Sequence, residues 1–80
     1  MAKTFFPTKS ISIPASKPHP DHTEYKISIG TEIWNKENHV VVKIQMVYDK
    51  KVAGRRSPSF PLDTDDFQRV SKEIDKLLSK

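Results

Sequence analysis

The side chains best able to do chemistry in this chain of 80 residues are cations gathered around one turn. Lys50, Lys51, Arg55 and Arg56 occupy four of seven consecutive positions, with Lys43 shortly before them and Lys26 and Lys36 further upstream. Lys and Arg neutralise phosphates and release the counterions condensed on a polyanion, and an arginine can hold one phosphate through two parallel hydrogen bonds. A solvated turn carries the same charges, so the cluster gains meaning only from its company. Trp34 falls on the same strand face as Lys26, and a nucleobase stacks on an aromatic ring for about 1–3 kcal/mol. A basic groove beside a stacking platform is how single strands are bound. An exposed Trp is equally an anchor at protein interfaces. The nucleic-acid-binding residues expected on these grounds are Lys26, Trp34, Lys36, Lys43, Lys50, Lys51, Arg55 and Arg56.

Other chemistries are poorly provided for. The chain has no cysteine, which excludes disulfides and thiolate zinc sites. His19-Pro20-Asp21-His22 sets two imidazoles close together, but zinc needs three or four ligands in fixed geometry, and a Pro-rich loop supplies that badly. These read as solvated loop histidines, and His39 as a half-exposed residue at a strand start. No nucleophile elbow surrounds a serine, and two glycines cannot make a phosphate-cradling loop. Asp63, Asp65 and Asp66 are explained as a helix start. The expectation is a binding protein with no catalytic activity, no cofactor and no metal.

The net charge of +4 is uneven: residues 25–62 hold seven Lys or Arg against three acids, whereas residues 63–80 hold four against five. A localised positive face attracts polyanions. No apolar run approaches the roughly 20 residues of a membrane span, and residues 1–7 lack the apolar segment of a signal peptide. A cytoplasmic protein without a membrane partner is expected.

These residues must be positioned by a small scaffold. Residues 1–24 form a Pro-rich segment in which Ser10 to Ile13 alternate as a short edge strand stopped by Pro14, followed by a loop over residues 15–23. Phe5 or Phe6 is expected to pack on the sheet or on a partner. Residues 25–80 form a sheet-plus-helix domain. In residues 25–34, Tyr25, Ile27, Ile29, Thr31 and Ile33 point one way, and Lys26, Ser28, Gly30, Glu32 and Trp34 the other. Gly30 marks a bulge or a close backbone approach. Asn35 to Asn38 make a polar hairpin connection. Along residues 40–49, Val40, Val42, Ile44, Met46 and Tyr48 form a floor for a helix, while Val41, Lys43, Gln45, Val47 and Asp49 face away. Gly54 supplies a positive φ for the next turn, and residues 55–60 form a third strand shortened by Pro58 and Pro61.

A helix follows over residues 64–79, with Phe67, Val70, Ile74, Leu77 and Leu78 in one stripe. Asp63 is its expected N-cap, with Asp66 in the capping-box position. Asp65–Arg69 and Arg69–Glu73 are spaced as i,i+4 pairs, and Lys76 and Lys80 complement the C-terminal dipole. The fold class is therefore α+β, a small antiparallel sheet of three to four strands followed by a C-terminal α-helix packed on one face. So small a core makes a homodimer the expected state.

Gly54-Arg55-Arg56, Ser59-Phe60-Pro61-Leu62 and Asp65-Asp66-Phe67 stand in an order that resembles the single-stranded-DNA-binding transcriptional coactivator family (positive cofactor four and its bacterial and phage relatives). In that family a Gly and basic residues lead into a short strand, a serine-leucine step and an acidic, aromatic helix start. The resemblance covers about residues 25–78. It implies a homodimer whose curved sheets form grooves for single strands, with basic hairpin residues on the backbone. Pro58, Pro61 and the Pro-rich N-terminus depart from the pattern, and Trp34 has no aligned position. The order of elements is also similar to integrase arm-binding domains, which insert a sheet into the major groove of duplex DNA. The alternative from another class is a protein-interaction or assembly module, with Val41, Val47 and Trp34 as an apolar contact.

Overall fold

Strict alternation of apolar and polar residues builds a four-stranded antiparallel sheet in the computed structural model, which describes residues 4–79. The strands follow in chain order: β1 (Phe5–Pro14), β2 (Thr23–Trp34), β3 (Glu37–Tyr48) and β4 (Lys51–Ala53), with helix α1 (Asp66–Leu78) after them. The α+β arrangement is as expected. Lys80 lies outside the described residues. Among the described residues no helix is long and apolar enough to cross a membrane.

The edge strand is longer than alternation alone predicted. β1 begins at Phe5 and pairs with β2 throughout, with its register shifting between Pro7 and Lys9. Gly30 sits opposite that bulge. A Cβ there would collide with Phe6 O and lie 2.6 Å from Pro7 Cα, so the glycine is required for space. Phe5 lies on the open face, with Lys43 Nζ 5.1 Å from its ring centroid. Phe6 lies on the helix face and is exposed.

The β2–β3 and β3–β4 hairpins each close through two residues, Asn35-Lys36 and Asp49-Lys50, all four with positive φ between 50° and 70°. This is the backbone of a type I′ turn, whose twist matches that of the strands. Gly54, expected to take positive φ, does not. Residues 55–60 do not form a strand; the third hairpin partner is β4, and residues 54–65 are turns and irregular backbone. Pro58 and Pro61, which lack amide donors, suit that backbone.

The core lies at one end of the sheet. Tyr25, Ile27 and Met46 are buried with Val70 of the helix, and Ile11, Ile13, Ile44, Tyr48, Phe60, Ile74 and Leu77 pack around them. The helix, about 20 Å long at 1.5 Å per residue, does not span a molecule 39 Å in its longest dimension. Val40 (79 % exposed) and Val42 (43 %) are therefore not part of the floor under the helix. Val47, assigned to an open apolar contact, is 5 % exposed, flanked by Glu24 and Val52 in the ladder. On the helix, Phe67 and Leu78 fall outside the buried stripe, which runs Asp66, Val70, Ile74, Leu77.

Asp66 explains that shift. It is fully buried, and its carboxylate accepts hydrogen bonds from Ser16 N (2.9 Å), the Tyr25 hydroxyl (2.7 Å) and Arg69 (2.5 Å). Arg69 also reaches Pro14 O and Ser16 Oγ, tying the helix start to the β1–β2 loop. It pairs with Asp65 as expected but not with Glu73, which instead meets Lys76 at 3.4 Å. The N-cap is Asp65, without a side-chain cap bond, and not Asp63. Burial acts to raise the Asp66 pKa, but the bonds from Ser16, Tyr25 and Arg69 outweigh it and hold the carboxyl well below the usual range. Burial, helped by the bond to Asp66, pushes the Tyr25 phenol above its ordinary value.

Candidate nucleic-acid interface

The structure spreads the eight expected residues over the sheet: four at one end, Trp34 and Lys36 at the other, and Lys26 and Lys43 on the open face between. Lys50 and Lys51 are at the β3–β4 turn, and Arg55 and Arg56 follow β4 directly. All four are exposed, and none forms an ion pair among the described residues. Residues 54–58 run beside the outer edge of β3 and close a shallow recess of about 270 Å³ against Lys43, Ile44 and Gln45. Asp49 is the sole acid in this stretch of turn and strand.

Trp34 and Lys36 are at the opposite end, where β2 turns into β3. The eleven residue steps from Glu37 to Tyr48 correspond to about 36 Å of strand. The Trp34 indole stacks on His39 at 4.8 Å between centroids and donates its N–H to Glu32 Oε1 at 2.8 Å. The indole and the basic turn are thus not brought together.

Between them lies the open face, which is not the basic surface that the sequence predicted. Lys43 forms an ion pair with Glu32. That ammonium holds the Glu32 carboxyl below its ordinary value, the Trp34 N–H acting in the same direction and burial against it. Lys26 stands across from Gln45. By strand alternation the face carries Lys26 and Lys43 against Glu24, Glu32 and Glu37, so its formal charge does not favour a polyanion.

At the basic end the helix face gathers Tyr48, expected there, with Phe60 and His19, which were not. Tyr48, read as core, packs on the core while half-buried, with the Arg56 guanidinium 5.6 Å from its ring centroid. Phe60, read as part of a strand, stacks on Tyr25 at 5.0 Å and 23°. His19, read as a solvated loop residue, lies 2.8 Å from Ser59 O through Nε2 and packs edge-on against Tyr25. Together with Pro18, Pro20 and Pro61, these residues surround a recess of about 420 Å³. The one signal in the sequence was the density of Pro and aromatic residues in two distant stretches, residues 18–20 and 58–61. Among the described residues no group of three or more His, Cys, Asp or Glu is placed to hold a metal ion.

Comparison of the chain with models of known protein families, with curated proteins and with solved structures found no match.

Proposed function

We propose that this chain binds single-stranded nucleic acid through the basic end of its sheet, by electrostatic capture and without turnover. The observation that carries the reading is the set of four exposed cations, Lys50, Lys51, Arg55 and Arg56, around the β3–β4 turn with no acidic partner. Phosphates would replace water there without breaking an existing ion pair, whereas at Lys43 they would compete with Glu32. Insertion of the open face into a duplex groove is disfavoured, because that face sets two lysines against three glutamates. The likeness of Gly54-Arg55-Arg56 to the coactivator family points to the same ligand, although that family's short strand has no counterpart at residues 55–60. A cytoplasmic location goes with this ligand.

Titration of labelled single- and double-stranded oligonucleotides at several salt concentrations tests it. Four neutralised phosphates on a single strand give a slope of log K against log salt of about −3. Replacing Arg55 and Arg56 together by Ala lowers that slope by about 1 to 1.5. Absence of binding at low salt, or affinity unchanged in the double variant, overturns the proposal.

A second reading concerns assembly. We infer that two copies pair along the outer edge of β3. β4 pairs with Met46 to Tyr48 of that edge and residues 54–58 flank Lys43 to Gln45, which leaves the strongly exposed Val40 and Val42 on the uncovered part. Antiparallel pairing of the edge with itself sets valine against valine across a two-fold axis.

A further inference from the structure

We propose that the recess between Tyr48, Phe60, Arg56 and His19 is a nucleobase subsite, in which one base of a bound strand stacks beside the phosphate-holding cations. The inference rests on the reading of the basic end as a nucleic-acid surface and moves the stacking platform away from Trp34. Three features carry it. The recess, at about 420 Å³, is of the size of small-molecule sites, and Tyr48, Phe60 and three prolines wall it. Arg56 already lies over the Tyr48 ring, 5.6 Å from its centroid, and both an aromatic ring and a guanidinium plane accept a base face to face. Lys51 is the cross-strand partner of Tyr48 and so projects from the same face, with Lys50 beside it in the turn.

The ring, the guanidinium and the ammonium groups thus belong to one short stretch of the surface. Trp34, by contrast, is about 36 Å of strand away from these cations, and Glu32 holds its N–H. The link from His19 Nε2 to Ser59 O ties the two walls together and occupies two of the polar groups of the lining.

The test compares a thymidine oligonucleotide with an abasic phosphodiester strand of equal length, by fluorescence anisotropy with the wild-type chain and with Tyr48→Leu. The wild type is expected to bind the base-bearing strand about 5- to 150-fold more tightly, both strands showing the same salt slope. Tyr48→Leu, which keeps apolar volume but loses the ring, is expected to abolish that difference while retaining the abasic affinity. Equal, salt-dependent binding of both strands by the wild type overturns the subsite and leaves the basic-end reading standing. Binding of neither strand overturns that reading and the subsite with it. Because Tyr48 also borders the core, a second measurement uses the wild type alone. Its Tyr48 and Phe60 ring proton resonances shift on adding the base-bearing strand and not the abasic one. Movement of the Trp34 resonances in their place overturns the proposal.

Discussion

At the scale of single residues, two lysines hold a backbone conformation that favours glycine. Lys36 and Lys50 hold φ of 66° and 70°, a region that costs most L-residues roughly 1–2 kcal/mol and glycine almost nothing. Lys36→Gly and Lys50→Gly should each therefore raise stability by up to about 1 kcal/mol in urea denaturation, the greater freedom of an unfolded glycine offsetting part of the relief. Only Lys50→Gly should weaken oligonucleotide binding, with the salt slope reduced by about 0.7. Equal losses of affinity in both variants would place the ligand along the whole sheet. Gly30 shows the opposite case. Its φ is unexceptional, but the β1 backbone occupies the place of a side chain. Gly30→Ala should cost about 1–3 kcal/mol by forcing β1 away, with the loss read as a lower denaturation midpoint.

At the scale of elements, the helix is positioned by a buried ionic network as well as by its apolar stripe. The Tyr25 hydroxyl lies within 2.9 Å of two acceptors, Asp66 Oδ2 and Ser59 O, and has one proton to donate; the charged and nearer Asp66 takes it. This arrangement bounds stability on both sides of neutral pH. The Asp66 pKa is lowered by folding, so its contribution is complete above the unfolded value of about 4 and is lost as pH falls toward the folded value. The Tyr25 pKa is raised by folding, so its contribution is complete below the unfolded value of about 10 and is lost as pH rises through the folded value. Thermal melts across pH should show both limbs. Tyr25→Phe should remove the alkaline limb and cost about 1.5–3 kcal/mol, because a buried carboxylate loses a charge-assisted bond. An unchanged alkaline limb in Tyr25→Phe would show that another group causes it.

At the scale of the whole molecule, the unfinished part is the edge of the sheet. The Asp49-Lys50 turn makes Tyr48 and Lys51 a paired couple, which directs the N–H and C=O of Tyr48 toward β4. Two-residue alternation then directs those of Val40 and Val42 outward, past the residues 54–58 that flank Ile44, and no strand receives them among the described residues. Phe6, Ile33, Val40 and Val42 lie exposed on the adjoining helix face, where the helix is too short to reach. Natural sheets protect such edges with charge, proline or a partner, and here the outward-facing positions are valines. Sedimentation should show a dimer for the wild type and a monomer for Val40→Lys with unchanged helix content. A monomeric wild type at high protein concentration would rule out edge pairing.

The sequence by itself determined whatever depends on neighbours along the chain. Alternation in residues 25–34 and 40–49 set strands and faces, the stripe from Val70 to Leu77 set the helix, and Gly30 announced a close backbone approach. The sequence also placed Lys50, Lys51, Arg55 and Arg56 around one turn, because seven consecutive residues have little room to separate. Tertiary structure alone decided which charges stay unpaired, since Lys43 meets Glu32 only across the β2–β3 ladder. It alone decided that Trp34 and the basic turn stand at opposite ends, because a hairpin of two long strands carries its two turns apart. The recess beside Arg56 was equally out of reach of pattern reading. Apart from Tyr48 at the end of β3, its walls come from residues 18–20 and 56–61, irregular segments that have no periodicity to read and meet only when the chain closes over Tyr25.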